Sequence, residues 1–430
     1  MSIDPEIGFT ADIIRDPSRF VGRTELIQGC MLAINAPTGL ISVYGKRGVG
    51  KSSLLRQIQQ MALGEYTLAK NAGIGHLIPL KPRKYLTAYY SCDSLIADGK
   101  DLLSRLCNDQ SAEDSLLRLV PDEGKEIVEF TRSKEVSAGA DLKVVNWGAK
   151  GIESTKYARA VPGDIVQTFR NYVDAIVTHQ VKKRMKRDGL LILLDEFDVI
   201  KNKDGIGSLI KSLTTPEVKF AICGIGRDLS DLVNDHASIE RLIEQGVLPV
   251  KPMPLPESEE IITRAVELFK GAVQFESGIG TKIAQIGQGY PYFVQLIGKK
   301  CINELNMRNA TLVDQDIFDK VVEDIKSGKA FPTLEAAYQM AIGNSGDRQI
   351  LLHLLADQNS EQISSDEVGR IVLKSARQDA EELNVQYVDQ LIPRLIEKKY
   401  GPVLERVPER QGIYEFVNPV LRQYIRLREF

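Results

Sequence analysis

Eight residues, G-K-R-G-V-G-K-S from Gly45 to Ser52, constrain this chain more than any others. The apolar run Leu40, Ile41, Ser42, Val43, Tyr44 precedes them, and a helix-forming segment over 53–58 follows. Strand, glycine loop and helix in that order give the spacing G-x-x-x-x-G-K-S a coherent chemistry. Glycines lack a Cβ, so the loop can curl and turn its N–H groups toward a polyphosphate. The following helix adds its positive end. Gly45, Arg47, Gly48, Val49, Gly50, Lys51, Ser52 and Ser53 are therefore the candidate phosphate contacts. Lys51 can reach the β- and γ-phosphates, and Ser52 can ligate Mg2+. The implied ligand is ATP or GTP.

A second run, Leu190 to Leu194, reads as a buried parallel strand and ends in Asp195, Glu196, Phe197, Asp198. Such a strand is expected to lie beside the glycine-loop strand, with its C-terminal end aimed at the nucleotide. Asp195 then holds the hydration shell of Mg2+, and Glu196 polarises the attacking water. Lys51 and the metal would neutralise phosphate charge. A glutamate next to the aspartate argues for hydrolysis rather than phosphoryl transfer to a metabolite.

Further strands are predicted over 85–90 and 218–223, with a helix over 24–34. Strands alternating with helices imply an α/β sheet with right-handed crossovers. The long interval between Lys51 and Asp195 leaves room for another strand and for an insertion, read as a hairpin at about 132–150. That insertion carries the single tryptophan, Trp147, which either packs or faces a partner. A helix over 162–184 ends in the basic cluster 182–187, read as a solvated end that complements the helix dipole.

After the proline-rich stretch 252–256 the pattern turns to amphipathic helices over 257–269, 280–288, 292–306 and 313–325. Residues 329–346 read as a helix plus linker. From Asp347 come helices over 348–355, 365–374 and 385–399, then a hairpin over 400–406 and 412–417. Three helices and a hairpin are the order of a winged helix. The expected division is 1–252, 253–328, 329–346 and 347–430. In the third helix Gln386, Gln390, Arg394 and Lys398 recur at helical spacing, on a face able to enter a major groove. Pro393 should kink that helix or end it early. From Asp347 onward 12 basic residues stand against 14 acidic, a net of −2, unlike a dedicated DNA reader. Arg422, Arg426 and Arg428 offer a basic strip, so DNA and protein both stay open as partners.

Composition narrows the alternatives. The chain has 430 residues, enough for two or three domains, and its net charge of −3 announces no global attraction to nucleic acid. Its five cysteines and four histidines are dispersed without C-x-x-C spacing, which argues against zinc and for reduced thiols. The N-terminal residues lack an apolar signal core, and no run is long enough to span a membrane. A cytoplasmic protein with no membrane contact is the expectation.

The motifs together resemble a family. Phe20–Val21–Gly22–Arg23–Thr24–Glu25–Leu26 resembles the V-G-R-x-x-E-L segment of AAA+ and STAND ATPases, especially those similar to archaeal origin-recognition initiators. The glycine loop and L-L-D-E resemble their Walker A and Walker B motifs. The resemblance implies an ASCE-type P-loop sheet core, a helical lid and a winged helix, with ATP and Mg2+ as ligands. It lays Val21, Gly22 and Arg23 over the adenine. The strand ending Cys223–Gly224–Ile225–Gly226–Arg227 takes the place of sensor 1, although no asparagine stands there. Arg227 either substitutes or pairs with Asp228. The run 236–241 followed by 247–250 is similar to the S-x-x-R box, making Arg241 either a finger for a neighbouring subunit or a structural residue. Gly289–Tyr290–Pro291 resembles the G-x-P of a STAND lid, with Tyr292 and Phe293 where initiators carry a sensor 2 arginine.

The resemblance thus implies a homo-oligomeric, ATP-controlled assembly switch. Such switches serve replication, transposition or anti-phage defence, the last through a separate effector protein. The alternative is a DNA-binding regulator in which nucleotide is structural and turnover negligible.

Overall fold

A computed structural model describes residues 2–121, 164–233, 244, 246–374, 385–408 and 410–429. The expected hairpin at 132–150, Trp147 and Arg241 lie outside them. Five parallel strands form the central sheet: β1 (Leu40–Gly45), β2 (Tyr85–Ser91), β3 (Gly189–Asp195), β4 (Val218–Ile225) and β5 (Val247–Pro249). Their order is β2-β3-β4-β1-β5. All four pairings are parallel.

This order corrects one expectation. Strand β3 does not lie beside the glycine-loop strand; β4 pairs with both and separates them. The crossover between β1 and β3 runs through β2 at the far edge of the sheet, and the chain returns to fill the gap with β4. Strand β5 was not foreseen. It is three residues long and ends in Pro249, which suits an edge strand because proline donates no ladder hydrogen bond.

Side chains alternate across the sheet as the strand period of two requires. Ile41, Val43, Leu191, Leu193, Ala221 and Cys223 face the helices Thr24–Asn35 and Lys51–Leu63. Leu40, Leu190, Ile192, Leu194, Phe220 and Ile222 face the helices Gly99–Asn108, Ile165–Ala175 and Ile206–Leu213. Both faces are buried, which is why β3 reads as an unbroken apolar run. The helix Ile165–Ala175 continues as a π-helix to Met185. Its basic end stays at the surface, with Lys182 on Glu217 and Arg187 on the Leu63 carbonyl.

The unit expected to form the lid comprises the helices Leu255–Leu268, Ile279–Gly287, Pro291–Met307 and Gln315–Lys326. The short parallel strands β6 (Gln274–Phe275) and β7 (Leu312–Val313) tie two of its loops together. Phe9, fully buried, packs at a tilt on Phe269 and edge-on to Phe275 of the lid, which ties the N-terminal residues to this unit.

The C-terminal residues form the helices Gly346–Ala356, Ser365–Lys374 and Val385–Ile396, followed by β9 (Leu404–Arg406) and β10 (Ile413–Phe416). An additional strand, β8 (Gln362–Ser364), completes an antiparallel sheet of order β8-β10-β9. A helix, Pro419–Leu427, ends the unit. The third helix runs through Pro393 to Ile396, so proline does not stop it.

The C-terminal arginines are not a free basic strip. Arg422 is buried and donates to the carbonyls of Ala356, Gln358 and Ser360. Arg426 donates to Ala356 and Gln358, and Arg428 pairs with Glu335. Their donor-rich guanidinium groups satisfy helix-end and loop carbonyls. One hydrophobic core runs from the sheet through the lid to this unit. Phe331 bridges Phe293 of the lid and Tyr424 of the last helix, with ring centroids 5.8 and 6.4 Å away.

Candidate nucleotide site

The C-terminal ends of β1 and β3 and the start of helix Lys51–Leu63 meet at the C-terminal end of the sheet. The cleft there has a volume of about 360 Å3 and is lined by Arg47, Gly48, Gly50, Lys51, Ser52, Ser53, Asp195, Glu196 and Pro291, among others. Gly45 ends β1. Gly48 and Gly50 take φ values of +81° and +94°, a region open to glycine at little cost. Val49 is buried beneath the loop. Lys51 Nζ donates to the Lys46 carbonyl at 2.8 Å, which holds the ammonium inside the loop. Burial lowers its pKa, against the pull of Asp198 and Asp195 nearby.

Asp195 lies at the end of β3, yet reaches across the gap that β4 occupies. Ser52 Oγ donates to its Oδ1 at 3.1 Å, and the Glu196 N–H donates to the same oxygen at 2.9 Å. Tyr89 of β2 donates its hydroxyl to Oδ2 at 2.6 Å. A hydroxyl and a carboxylate held side by side are the hard oxygen donors that Mg2+ prefers. Among the described residues no group of three His, Cys, Asp or Glu could hold a metal by itself. Glu196 stands exposed at the rim with φ +51°, a left-handed conformation that costs a β-carbon-bearing residue about 1 kcal/mol. Desolvation, reinforced by the charges of Asp195 and Asp198, raises its pKa.

A smaller apolar pocket adjoins the cleft, lined by Val21, Arg23, Leu26, Val49, Met253 and Pro291 among others. Arg23 is buried, left-handed at φ 62°, and donates to the carbonyls of Lys251 and Val49. Burial lowers its pKa to about 10, partly offset by Glu257. Gly22 precedes it and abuts that glutamate. The segment over 10–14 crosses the cleft: Thr10 donates to Gln295 of the lid, and Ile14 donates to Ser53 Oγ.

Arg227 follows β4 but does not line the cleft. Its guanidinium meets Asp231 rather than Asp228 at 3.4 Å, and Nη1 lies 3.3 Å from Glu415 Oε1, outside hydrogen-bond geometry. Glu415, on β10 and 3% exposed, also lies 3.3 Å from Lys46 of the glycine loop. Glu361 adds a second partner to Lys46 at 3.0 Å and accepts from the Tyr290 hydroxyl. A Cβ on Gly48 would stand 2.8 Å from Val420 of the last helix. The C-terminal unit therefore sits on the glycine loop itself. Phe293 is core, whereas Tyr292 borders the cleft and its N–H reaches the Gly48 carbonyl at 3.4 Å.

Sequence reasoning missed Tyr89, Glu415 and the crossing segment 10–14. Tyr89 read only as part of a strand over 85–90, and Glu415 only as one of the 14 acidic residues from Asp347 onward. Nothing local marked either one, because each acts on a residue more than 100 positions away.

No protein-family model matches the chain, and no curated protein sequence matches it. Solved structures do. The Orc1 protein of Aeropyrum pernix in complex with DNA is similar over 97% of this chain and 93% of its own, with 11% identity and a TM-score of 0.44. The Thermotoga maritima RuvB Holliday junction branch migration motor is similar over 92% of each chain, with 14% identity and a TM-score of 0.42. Cdc6p from Pyrobaculum aerophilum is similar over 98% of each chain, with 12% identity and a TM-score of 0.43. By its own strand order, glycine loop and paired Ser52 and Asp195, the chain has the ASCE-type P-loop α/β core that its motifs led one to expect.

Proposed function

We propose that this chain is an Mg2+-dependent ATP hydrolase whose nucleotide state is read by its C-terminal winged-helix unit. The observation that carries the reading is the convergence of Lys51, Ser52, Asp195 and Glu196 on one cleft, with the lid and segment 10–14 around it. Lys51 and the loop N–H groups would hold the β- and γ-phosphates, and Ser52 with Asp195 would hold Mg2+. Bound Mg2+ would supply neutralising charge to the phosphate oxygens. Glu196, with its raised pKa, would orient the attacking water and accept its proton. The adjoining apolar pocket suits a base, with Val21, Arg23 and Pro291 as its walls.

On this reading the core is 1–252, the lid 253–328, the linker 329–346 and the winged helix 347–430. Glu415 on Lys46 and Arg227 couples the last unit to the glycine loop. A homo-oligomer in which Arg241 completes a neighbour's site, and DNA or an effector protein as partner, belong to the same proposal. One observation supports a second reading, a regulator with nucleotide as structural ligand. Arg227 is held by Asp231 and Glu415 and is not aimed into the cleft.

ATP hydrolysis measured against protein concentration, with and without DNA, separates the two. Hydrolysis rising more than linearly with concentration is expected of the switch, since a trans arginine is worth about 10³-fold or more in rate. No turnover at any concentration would leave the regulator. Lys51→Ala should abolish ATP binding, and Glu196→Gln should bind ATP and stall. Wild-type ATP affinity in the first variant would remove the nucleotide reading.

A further inference from the structure

We propose that Tyr89 is a positioning residue for the metal-binding carboxylate, fixing Asp195 so that its Oδ1 is the oxygen held toward Ser52. The inference rests on the reading that the cleft takes Mg2+ and a nucleotide.

An aspartate carboxylate turns about a broad, two-fold torsion, so its side chain alone does not decide which oxygen faces the metal. Here the two oxygens have different partners. Oδ1 accepts from Ser52 Oγ and the Glu196 N–H, whereas Oδ2 accepts from the Tyr89 hydroxyl at 2.6 Å. A short hydrogen bond to an ionised acceptor is among the strong ones. It occupies the oxygen that Ser52 does not contact and so opposes rotation of the carboxylate.

The lock is itself held. Tyr89 is 6% exposed, and the Arg56 guanidinium lies over its ring at 3.2 Å from the centroid. Arg56 Nη1 pairs with Asp114 at 2.7 Å and with Gln59 Oε1 at 2.8 Å. The backbone N–H of Tyr89 donates to the Asp114 carbonyl at 2.9 Å. Arg56 stands one turn beyond Ser52 on the same helix. A single helix thus carries one candidate metal ligand and the clamp on the residue that orients the other. A buried tyrosine that merely satisfies its hydroxyl would need no such cation on its face.

Tyr89→Phe tests this, because it removes the hydroxyl and leaves the ring under Arg56. Three quantities are measured: affinity for a fluorescent ATP analogue in EDTA, the Mg2+ concentration that half-saturates its tighter binding, and the thermal midpoint of the apo protein. Loss of a residue that orients a metal ligand weakens metal binding by about 10–100-fold. The expected result is a Mg2+ midpoint raised in that range, with affinity in EDTA within about twofold of wild type. A Mg2+ midpoint within twofold of wild type, in a Tyr89→Phe protein that binds the analogue, overturns the proposal. Should that variant not fold, Arg56→Lys keeps the hydroxyl and the charge but loses the planar stack. Its Mg2+ midpoint should rise by about threefold or more, and an unchanged midpoint there overturns the proposal equally. Failure of the wild-type protein to bind the analogue in Mg2+ would instead defeat the nucleotide reading.

Discussion

Replacing Glu415 by Gln is the sharpest perturbation of the coupling between the C-terminal unit and the glycine loop. The change is nearly isosteric, so the packing of β10 should survive. It removes one charge that lies 3.3 Å from both Lys46 Nζ and Arg227 Nη1. At that distance each pair is worth about 5 kcal/mol of gross Coulomb energy in a medium of effective dielectric 20. Most of this is offset. Lys46 and Arg227 keep 24% and 27% of their surface in solvent, and ordering both side chains has an entropic cost. A net of about 1 kcal/mol per pair is reasonable for partners of this burial. Against it, Glu415 pairs across the strands with Glu405, whose pKa is raised by burial and then by the Glu415 charge. Removing that repulsion returns about 0.5 kcal/mol. The expected loss is therefore about 1.5 kcal/mol in urea denaturation. The matched control is Glu361→Gln. Glu361 is 51% exposed, so its pair with Lys46 should be worth about 0.5 kcal/mol or less. Much of the Glu415→Gln effect should persist at 1 M salt, because screening acts weakly on a buried carboxylate. A loss for Glu415→Gln no larger than that for Glu361→Gln would refute the argument that this carboxylate holds the unit on the loop.

Two further outcomes follow from other residues. Glu196→Gly should leave stability unchanged or raise it by about 1 kcal/mol, because glycine adopts φ +51° without strain, while turnover falls at least about 100-fold. A stability loss above 1 kcal/mol in that variant would show that the glutamate is structurally required. Lys219, fully buried on β4, donates to the carbonyls of Ala33, Ile34 and Ala36 at the end of helix Thr24–Asn35, and burial lowers its pKa to about 8. Between pH 8 and about 10.5 the unfolded chain would hold this proton and the folded chain release it, so stability gains from this group as pH rises through that window. Wild type should therefore gain up to about 3 kcal/mol on Lys219→Met between pH 7.5 and 10. A difference that is flat with pH would mean that the three carbonyls keep the ammonium charged.

Much of the fold could be read because its signals are local. The four longer strands of the core sheet stand close to where their apolar runs place them, since a strand buried on both faces tolerates little else. The lid helices match their 3.6-residue patterns to within about two residues at their ends. The glycine loop was legible because its glycines, lysine and serine are consecutive in the chain between a strand and a helix. What failed was neighbourhood. Strand order depends on which crossovers pack, and a run of leucines does not say whether β4 will come between β1 and β3. Short edge strand β5 carried too little pattern to be seen. Arg422, Arg426 and Arg428 looked like surface charge, because their carbonyl partners lie some 60 to 100 residues away.

The sequence by itself determined an α/β core with a glycine loop between strand and helix, a helical unit after it, and the identities of Lys51, Ser52, Asp195 and Glu196. Spacing and residue type suffice for that, because each motif is built from consecutive residues on one strand–turn–helix. Only the tertiary structure decided how these motifs meet. It brought Asp195 within 3.1 Å of Ser52 across an intervening strand, locked its other oxygen with Tyr89, and seated Glu415 on Lys46 and Arg227. Those contacts join residues far apart in sequence. Their energies depend on distance and burial, which exist only once the sheet has closed its order and the C-terminal unit has docked.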